Sequence, residues 1–172
     1  MNKKWKISMK EKKFLKTGMV IIVLAILVGL GISAVAQDNP ADDMQVLKEK
    51  IKADKKLMVA THMELTESEA KGFWPVYEEY QKDLEAINQR IGRLIESYAA
   101  DFRANSLNDE KAKKLVDELV AIEQAEAGLK ASYVPKLSNV LPMKKVVRYL
   151  QIENKVRALV KYELARAIPL VR

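Results

Sequence analysis

The sequence predicts an all-α protein, either an elongated helical hairpin or a four-helix bundle or cradle. Long stretches repeat apolar residues at steps of three and four, which is the period of an amphipathic helix. Two short segments carry helix-capping residues, and the chain has neither a Gly-rich linker nor the alternation of a strand. Together these observations predict one domain whose helices bury a shared apolar face.

The first 36 residues are predicted to be a secretory signal peptide. Residues 2–16 are basic, residues 19–32 form an apolar run, and residues 34–36 make a small-residue cleavage site. We expect cleavage after Ala36, which leaves residues 37–172 as a single all-helical domain in the periplasm. The alternative is an uncleaved membrane anchor, although the apolar run is shorter than the roughly 20 residues of a spanning helix.

Charge is distributed unevenly along the chain, whose formal net charge is +7. The predicted leader holds seven lysines and one glutamate, so it carries +6 of that charge. Residues 37–129 carry 13 basic and 20 acidic side chains, whereas residues 130–172 carry 10 basic and 2 acidic ones. These two parts are expected to attract each other, or partners of opposite charge. Because there is no cysteine, the apolar core must stabilise the fold without a disulfide.

The first predicted helix runs from Asp42 to about His62. Its two N-terminal aspartates favour the positive end of a helix dipole. Residues 48–56 in its middle are heavily charged, and we expect them to form a solvated face rather than a binding stripe.

A capping box begins the next helix. Within residues 65–70, Thr66 can accept from the backbone amide three residues on, while the Glu69 side chain reaches back to the cap. Pro75 is then expected to cause a kink or a break, because its ring removes an amide donor and clashes with the preceding turn. The chain is expected to restart there as a long helix.

The longest regular stretch is residues 76–102, with one apolar face. A second cap at Asn108 starts a third helix, Asp109 to Tyr133, and the short turn between them predicts an antiparallel hairpin. Pro135 is expected to break the third helix. The last helix is predicted from Met143, just after a proline, to about Ile168.

The order of caps and helices resembles the Spy/CpxP family of periplasmic helical proteins. Residues 65–69 read Leu-Thr-x-x-Glu, similar to the LTxxQ motifs of that family, and a second such start lies at Leu107. Residues 73–77 (Phe-Trp-Pro-Val-Tyr) and 152–155 (Ile-Glu-Asn-Lys) are similar to related envelope proteins. The first motif has Glu69 in place of glutamine, and the second lacks both threonine and glutamine, so no role of those glutamines is carried over.

The resemblance implies a Spy-like helical fold and a non-enzymatic role in envelope stress. Members of such families act as chaperones that hold unfolded clients, as inhibitors of a sensor kinase, or as metal-responsive proteins. A structural oligomer is a further alternative for this chain, with its charged halves paired between subunits. The implied partners are unfolded or partner envelope proteins, and a homodimer is an open alternative.

Two groups of residues are candidates for binding those partners: aromatic residues around Pro75 and a basic face on the last helix. They are Phe73, Trp74, Tyr77, Tyr80, Lys144, Arg148, Lys155 and Arg166. The aromatic residues could instead be core packing at a junction of helices. The basic face could instead be solvated, pair with the acidic part, or make weak contact with a membrane surface. Nucleic acid is not expected as a partner in the periplasm.

The side chains available for chemistry are few. With one histidine and no cysteine, the chain offers neither a cysteine nucleophile nor a His/Cys metal site, and we expect neither an enzyme nor a cofactor. An alternative soft metal site could use Met58, His62 and Met63. Glu153 falls on the apolar face of the last helix, where Arg157, one turn on, is its expected ion-pair partner.

Overall fold

A computed structural model describes residues 40–171, with side chains described from residue 52 onward. These residues form four helices and no strand, so the all-α prediction is confirmed. The helices are α1 (Pro40–Met63), α2 (Glu67–Ala104), α3 (Asp109–Ser138) and α4 (Met143–Ala167). The predicted signal peptide and its cleavage site lie outside the described residues. Between residues 40 and 171 no helix has the length and hydropathy to cross a membrane.

Helices α2 and α3 form the predicted antiparallel hairpin. Close to the turn, Lys111 pairs with Asp101 across the two helices. At the far end, the Tyr133 hydroxyl donates to Asp83 Oδ2 at 2.6 Å. Residues towards the end of α2 thus contact the start of α3, and earlier residues of α2 contact later residues of α3. The two helices therefore run in opposite directions over most of the length of α3.

Helix α4 lies parallel to α2 and antiparallel to α3. Lys145 near its start pairs with Glu69 in the first turn of α2. Near its end, the Tyr98 hydroxyl of α2 donates to the Pro169 carbonyl at 2.8 Å. Helix α1 runs the other way along α2 and α4, since Lys55 contacts Glu153 whereas His62 lies beside Arg148. The four helices therefore alternate in direction, as in an up-and-down bundle.

Both predicted N-terminal caps are confirmed. The Thr66 hydroxyl accepts from the Glu69 amide, and the Glu69 carboxylate accepts from the Thr66 amide at 2.8 Å. The Asn108 side chain accepts from the Lys111 amide at 3.0 Å. Asn105 ends α2 in the left-handed conformation at φ 48°, which asparagine tolerates better than most residues. Capping chemistry thus defines the hairpin turn on both sides.

The prediction of a separate short helix before Pro75 is wrong. Helix α2 is continuous from Glu67 to Ala104, with Pro75 inside it. The proline removes only the amide that would bond to the Lys71 carbonyl, and Lys71 is an exposed residue close to the start of the helix. Phe73 and Tyr77, on either side of the proline, are both buried, and their packing favours helix on both sides of it.

Pro135 does not break α3, which continues to Ser138. The helix closes instead at Leu137, whose carbonyl accepts from the Leu141 amide at 2.9 Å. Leu137 is fully buried, so its packing fixes the last turn after the proline. Burial of a few side chains outweighs one lost backbone hydrogen bond in both proline-containing helices.

The core lies at the end of the bundle where all four helices meet. Its buried residues come from every helix and from the α3–α4 connection: Val59, Met63, Phe73, Tyr77, Tyr80, Tyr133, Leu137, Leu141, Val146 and Tyr149. Helix α1 contributes only Val59 and Met63 to this set among its described side chains. At about 1.5–3 kcal/mol for each buried side chain, they favour docking of α1 by about 3–6 kcal/mol before entropy is subtracted.

Two glycines inside helices offer sites for stabilisation. A Cβ at Gly92 or Gly128 would meet no atom within 4 Å. Because glycine is less favourable than alanine in a helix interior, Gly92→Ala and Gly128→Ala are each expected to raise the free energy of unfolding by about 1 kcal/mol. Urea denaturation followed by circular dichroism measures this. Gly72→Ala is the control, since its methyl group would lie 3.0 Å from Val140 and no stabilisation is expected.

Candidate functional site

The predicted aromatic residues form one connected cluster with Tyr149. The Phe73 and Tyr149 ring centroids lie 5.2 Å apart, edge to face, and Tyr80 contacts Tyr149 at 5.9 Å. Phe73, Tyr77 and Tyr80 are buried, whereas Trp74 is partly exposed. Three of the four aromatic candidates therefore lie in the core of the closed bundle. Their role in binding stays a prediction that requires the bundle to open.

Three polar side chains, Lys55, Gln81 and Glu153, form hydrogen bonds with one another beside these rings. Glu153, 3% exposed, accepts from Lys55 Nζ at 2.8 Å and from Gln81 Nε2 at 3.0 Å. Gln81 also contacts the Tyr149 hydroxyl at 3.2 Å. The predicted pairing of Glu153 with Arg157 is wrong, because Lys55 of α1 is its partner. The predicted solvated face of residues 48–56 does not include Lys55, because its side chain is only 12% exposed.

Arg157 belongs to a second buried ion pair. Its guanidinium pairs with Glu126 of α3 and donates to Asn88 Oδ1 of α2 at 3.0 Å. Lys161 also approaches Glu126, at 3.3 Å. Burial lowers the pKa of Arg157 from its ordinary value. Through its buried side chain, Arg157 of α4 therefore contacts both helices of the hairpin, α2 and α3.

Sequence reasoning missed Glu126, although a signal existed. Glu126 stands four residues after Ile122 and three before Leu129, on the apolar stripe of α3. A carboxylate on that stripe indicates a buried partner cation, as it did for Glu153. Lys55, four residues before Val59, carried the same signal on α1.

Two concavities lie between the helices. A cavity of about 20 Å³ lined by Tyr80, Glu126, Glu153 and Arg157 has room for about one water molecule. A groove of about 310 Å³ lies between α2 and α3 towards the hairpin turn. Its charges are largely paired across the groove, with Arg90 holding Glu118 through two contacts at 2.9 and 3.1 Å. Among the described residues no group of three acidic or histidine side chains could hold a metal ion.

The alternative metal ligands are not presented together. Met63 is fully buried in the core, Met58 is partly buried, and His62 is exposed. A site using all three would need Met63 to leave the core. The metal hypothesis stays a prediction.

The predicted basic residues of α4 share one outward face. Lys144, Arg148, Lys155 and Arg166 are all exposed, and their spacing of 4, 7 and 11 residues keeps them within one side of the helix. Two apolar side chains that the sequence analysis did not single out accompany them. Val147 is 48% exposed and Tyr162 59% exposed, with the Arg166 guanidinium 5.9 Å from the Tyr162 ring centroid. We call these six residues the α4 outer face.

The buried tyrosines predict loss of stability at high pH. Burial, together with the negative charge of Glu153, raises the pKa of Tyr77, Tyr80 and Tyr149 above the ordinary value of 10.0. The neutral phenols stabilise the fold fully below pH 10, and that stability falls as pH rises above it, because only the unfolded state then ionises. Absorbance at 295 nm should show these phenols ionising together with the loss of helical circular dichroism.

An opposite result would be ionisation of Tyr77, Tyr80 and Tyr149 near the ordinary pKa of 10.0 with helicity intact. That outcome would mean that the aromatic cluster is open to water. It would contradict the packing described above.

Comparison with known proteins adds no relative. No family model matches the chain, and neither a curated protein nor a solved structure matches it.

Proposed function

We propose that this chain is a non-enzymatic envelope-stress protein that binds unfolded or partner proteins through its amphipathic helices. Two activities fit this description: a chaperone that holds unfolded clients, and a regulator that binds a sensor protein. Support comes from the α4 outer face, which presents cations and large apolar side chains side by side on a rigid helix. Unfolded chains expose apolar residues and, in many proteins, acidic ones, and both find partners on such a surface.

The proposed location is the periplasm. Support comes from the leader, whose basic, apolar and small-residue parts occur in the order of a signal peptide. Mass spectrometry of the protein recovered from the envelope fraction of a producing cell tests this. A mass corresponding to a chain that begins at Gln37 is expected, and a mass that includes the leader would contradict cleavage.

Suppression of client aggregation tests the binding function. We expect purified protein to lower the light scattering of a chemically unfolded client upon dilution from denaturant. The double variant Val147→Asp/Tyr162→Asp is expected to reduce this suppression at least fivefold, because it adds two acidic charges and removes the apolar part of the α4 outer face. Both positions are about half exposed, so the variant is expected to fold.

A matched control is Val116→Asp/Val120→Asp on α3. These side chains are also about half exposed, at 57% and 46%, and the change in charge is the same. The control is expected to retain suppression. Equal loss in both variants would assign the effect to net charge rather than to the α4 outer face, and absence of suppression by the unchanged protein would refute the chaperone activity.

A further inference from the structure

The surface beneath α1 combines polar side chains with buried aromatic rings. Lys55 reaches over α2 and α4 to Gln81 and Glu153, and Lys56 contacts Glu78 while its Nζ lies 5.3 Å from the Trp74 ring centroid. Next to these polar contacts lie the buried rings of the aromatic cluster. We call this surface the α1 seat. It consists of the residues of α2 and α4 that contact Lys55 or Lys56, and of three aromatic residues that share the core cluster with Val59 and Met63: Trp74, Glu78, Gln81, Glu153, Phe73, Tyr77 and Tyr149.

Helix α1 holds the α1 seat through few contacts. Val59 and Met63 are its only buried apolar residues among positions 52–63, and Leu57 on the opposite side is 56% exposed. Its ion pair from Lys56 to Glu78 joins two side chains that are each about half exposed. Such a pair is weak because water screens it. Among the described side chains of α1, the buried contact from Lys55 to Glu153 is therefore the main polar link to the rest of the bundle.

A helix that covers the α1 seat needs a defined pattern of charged and apolar side chains. A buried carboxylate such as that of Glu153 needs a cation beside it, and the adjoining rings need apolar contacts. Helix α1 meets this demand with Lys55, Val59 and Met63, which are spaced by four residues on one side of a helix. Any amphipathic helix with a Lys or Arg followed by apolar residues four and eight positions later has the same complementarity.

We propose that α1 is a displaceable cover, and that the α1 seat binds a partner's amphipathic helix of this pattern in its place. The proposal rests on the proposed function, for which it names the kind of segment that is bound. Residues 64–66 join α1 to α2, and Thr66 and Glu69 cap α2 without any contribution from α1. Helix α1 can therefore leave while α2, α3 and α4 keep their own contacts. Release removes Val59 and Met63 from the core cluster that holds Phe73 and Tyr77 and takes Lys56 away from Trp74. These three aromatic residues are among the binding residues predicted from the sequence.

A labelled peptide provides the test. The probe is a fluorescent synthetic peptide of residues 49–64 of this chain, and its anisotropy is followed during titration with purified protein. In the protein, Val59→Asp places a carboxylate in the core and releases α1, while Ala60→Asp makes the same change in charge at an exposed neighbouring position. We expect the peptide to bind the Val59→Asp protein at least tenfold more tightly than the Ala60→Asp protein, since a covered seat reduces the apparent affinity.

The peptide itself carries a second matched pair. Changing Lys55→Gln in the peptide removes the cation that faces Glu153, and at least a tenfold loss of affinity is expected. Changing Lys52→Gln removes a cation at a position that is exposed in α1, and no loss is expected. Equal binding to the two protein variants, or equal effects of the two peptide changes, would overturn the proposal.

Hydrogen exchange keeps the proposal testable should Val59→Asp fail to fold. In the unchanged protein, amides of residues 54–63 are expected to exchange at least tenfold faster than those of residues 77–87. Equal protection would overturn the proposal, because α1 would then open only with the whole bundle. Light scattering that shows the unchanged protein to be a dimer, and the Val59→Asp protein to be a monomer, would also overturn it, since the seat would then be filled by α1 of a second copy.

The outcomes separate the two proposals. Aggregation suppression by the unchanged protein with no peptide binding to the Val59→Asp protein would remove the α1 seat as a site and leave the proposed function standing. Peptide binding to the Val59→Asp protein without any aggregation suppression would refute a chaperone role and leave the α1 seat standing as a site.

Discussion

Replacing Glu153 by alanine is expected to lower the free energy of unfolding by about 3–5 kcal/mol. The carboxylate is 3% exposed and holds both Lys55 and Gln81. Its removal leaves an ammonium group, 12% exposed, without a counter-charge in the core. The free energy is measured by urea denaturation, with circular dichroism at 222 nm as the signal.

Two further variants show whether the loss comes from the buried charge. Glu123→Ala removes an exposed carboxylate that lies 3.8 Å from Lys161, and a change of less than about 1 kcal/mol is expected. The double variant Lys55→Met/Glu153→Leu replaces the buried pair by apolar groups, and most of the lost stability should return. A Glu153→Ala protein as stable as the Glu123→Ala protein would show that the polar contact to α1 contributes nothing.

The variant Tyr149→Ala is expected to cost about 3–5 kcal/mol, as for other large aromatic side chains deleted from a core. Tyr149 is fully buried and contacts the rings of Phe73, Tyr77 and Tyr80. The melting temperature and the urea midpoint should both fall. A cavity at this position would loosen all helices that meet in the core.

Tyr149→Phe separates the ring from the hydroxyl. It keeps the packing and loses the contact with Gln81 at 3.2 Å, so a cost of about 1 kcal/mol is expected. Tyr162→Ala is the exposed control, with a change within about 0.5 kcal/mol. A loss for Tyr149→Ala no larger than that of the control would contradict the buried position of the ring.

Local chemistry predicted the ends of the hairpin well. Capping depends on side chains within three residues of the backbone that they satisfy, so Thr66 and Asn108 could be assigned from sequence. The apolar stripes of α2 and α3 likewise predicted their pairing. These features need no knowledge of distant parts of the chain.

Local chemistry failed wherever a distant contact decided the outcome. Pro75 and Pro135 were expected to interrupt helices, but the burial of Tyr77 and Leu137 next to them keeps the helices continuous. Spacing along α4 favoured Arg157 as the partner of Glu153, whereas the true partner, Lys55, is 98 residues away. Spacing rules describe neighbours on one helix and carry no information about which face another helix will cover.

For the candidate site, too, local spacing predicted some features and missed others. Exposure of the four cations on α4 agrees with the predicted basic face, since helical spacing alone puts them on one side. Three of the four aromatic candidates, Phe73, Tyr77 and Tyr80, are core residues in the closed bundle, in agreement with the alternative that they pack at a junction of helices. Val147 and Tyr162 went unnoticed because isolated apolar residues on a polar face resemble ordinary surface positions.

The contact between Lys55 and Glu153 also orders the steps of folding. It joins residues that are 98 positions apart, whereas the turn of the α2–α3 hairpin brings together residues only ten positions apart. Closing a longer loop of chain costs more entropy, and contacts between residues that are close in sequence form faster. We therefore expect the hairpin to close early and α1 to be the last of the four described helices to dock.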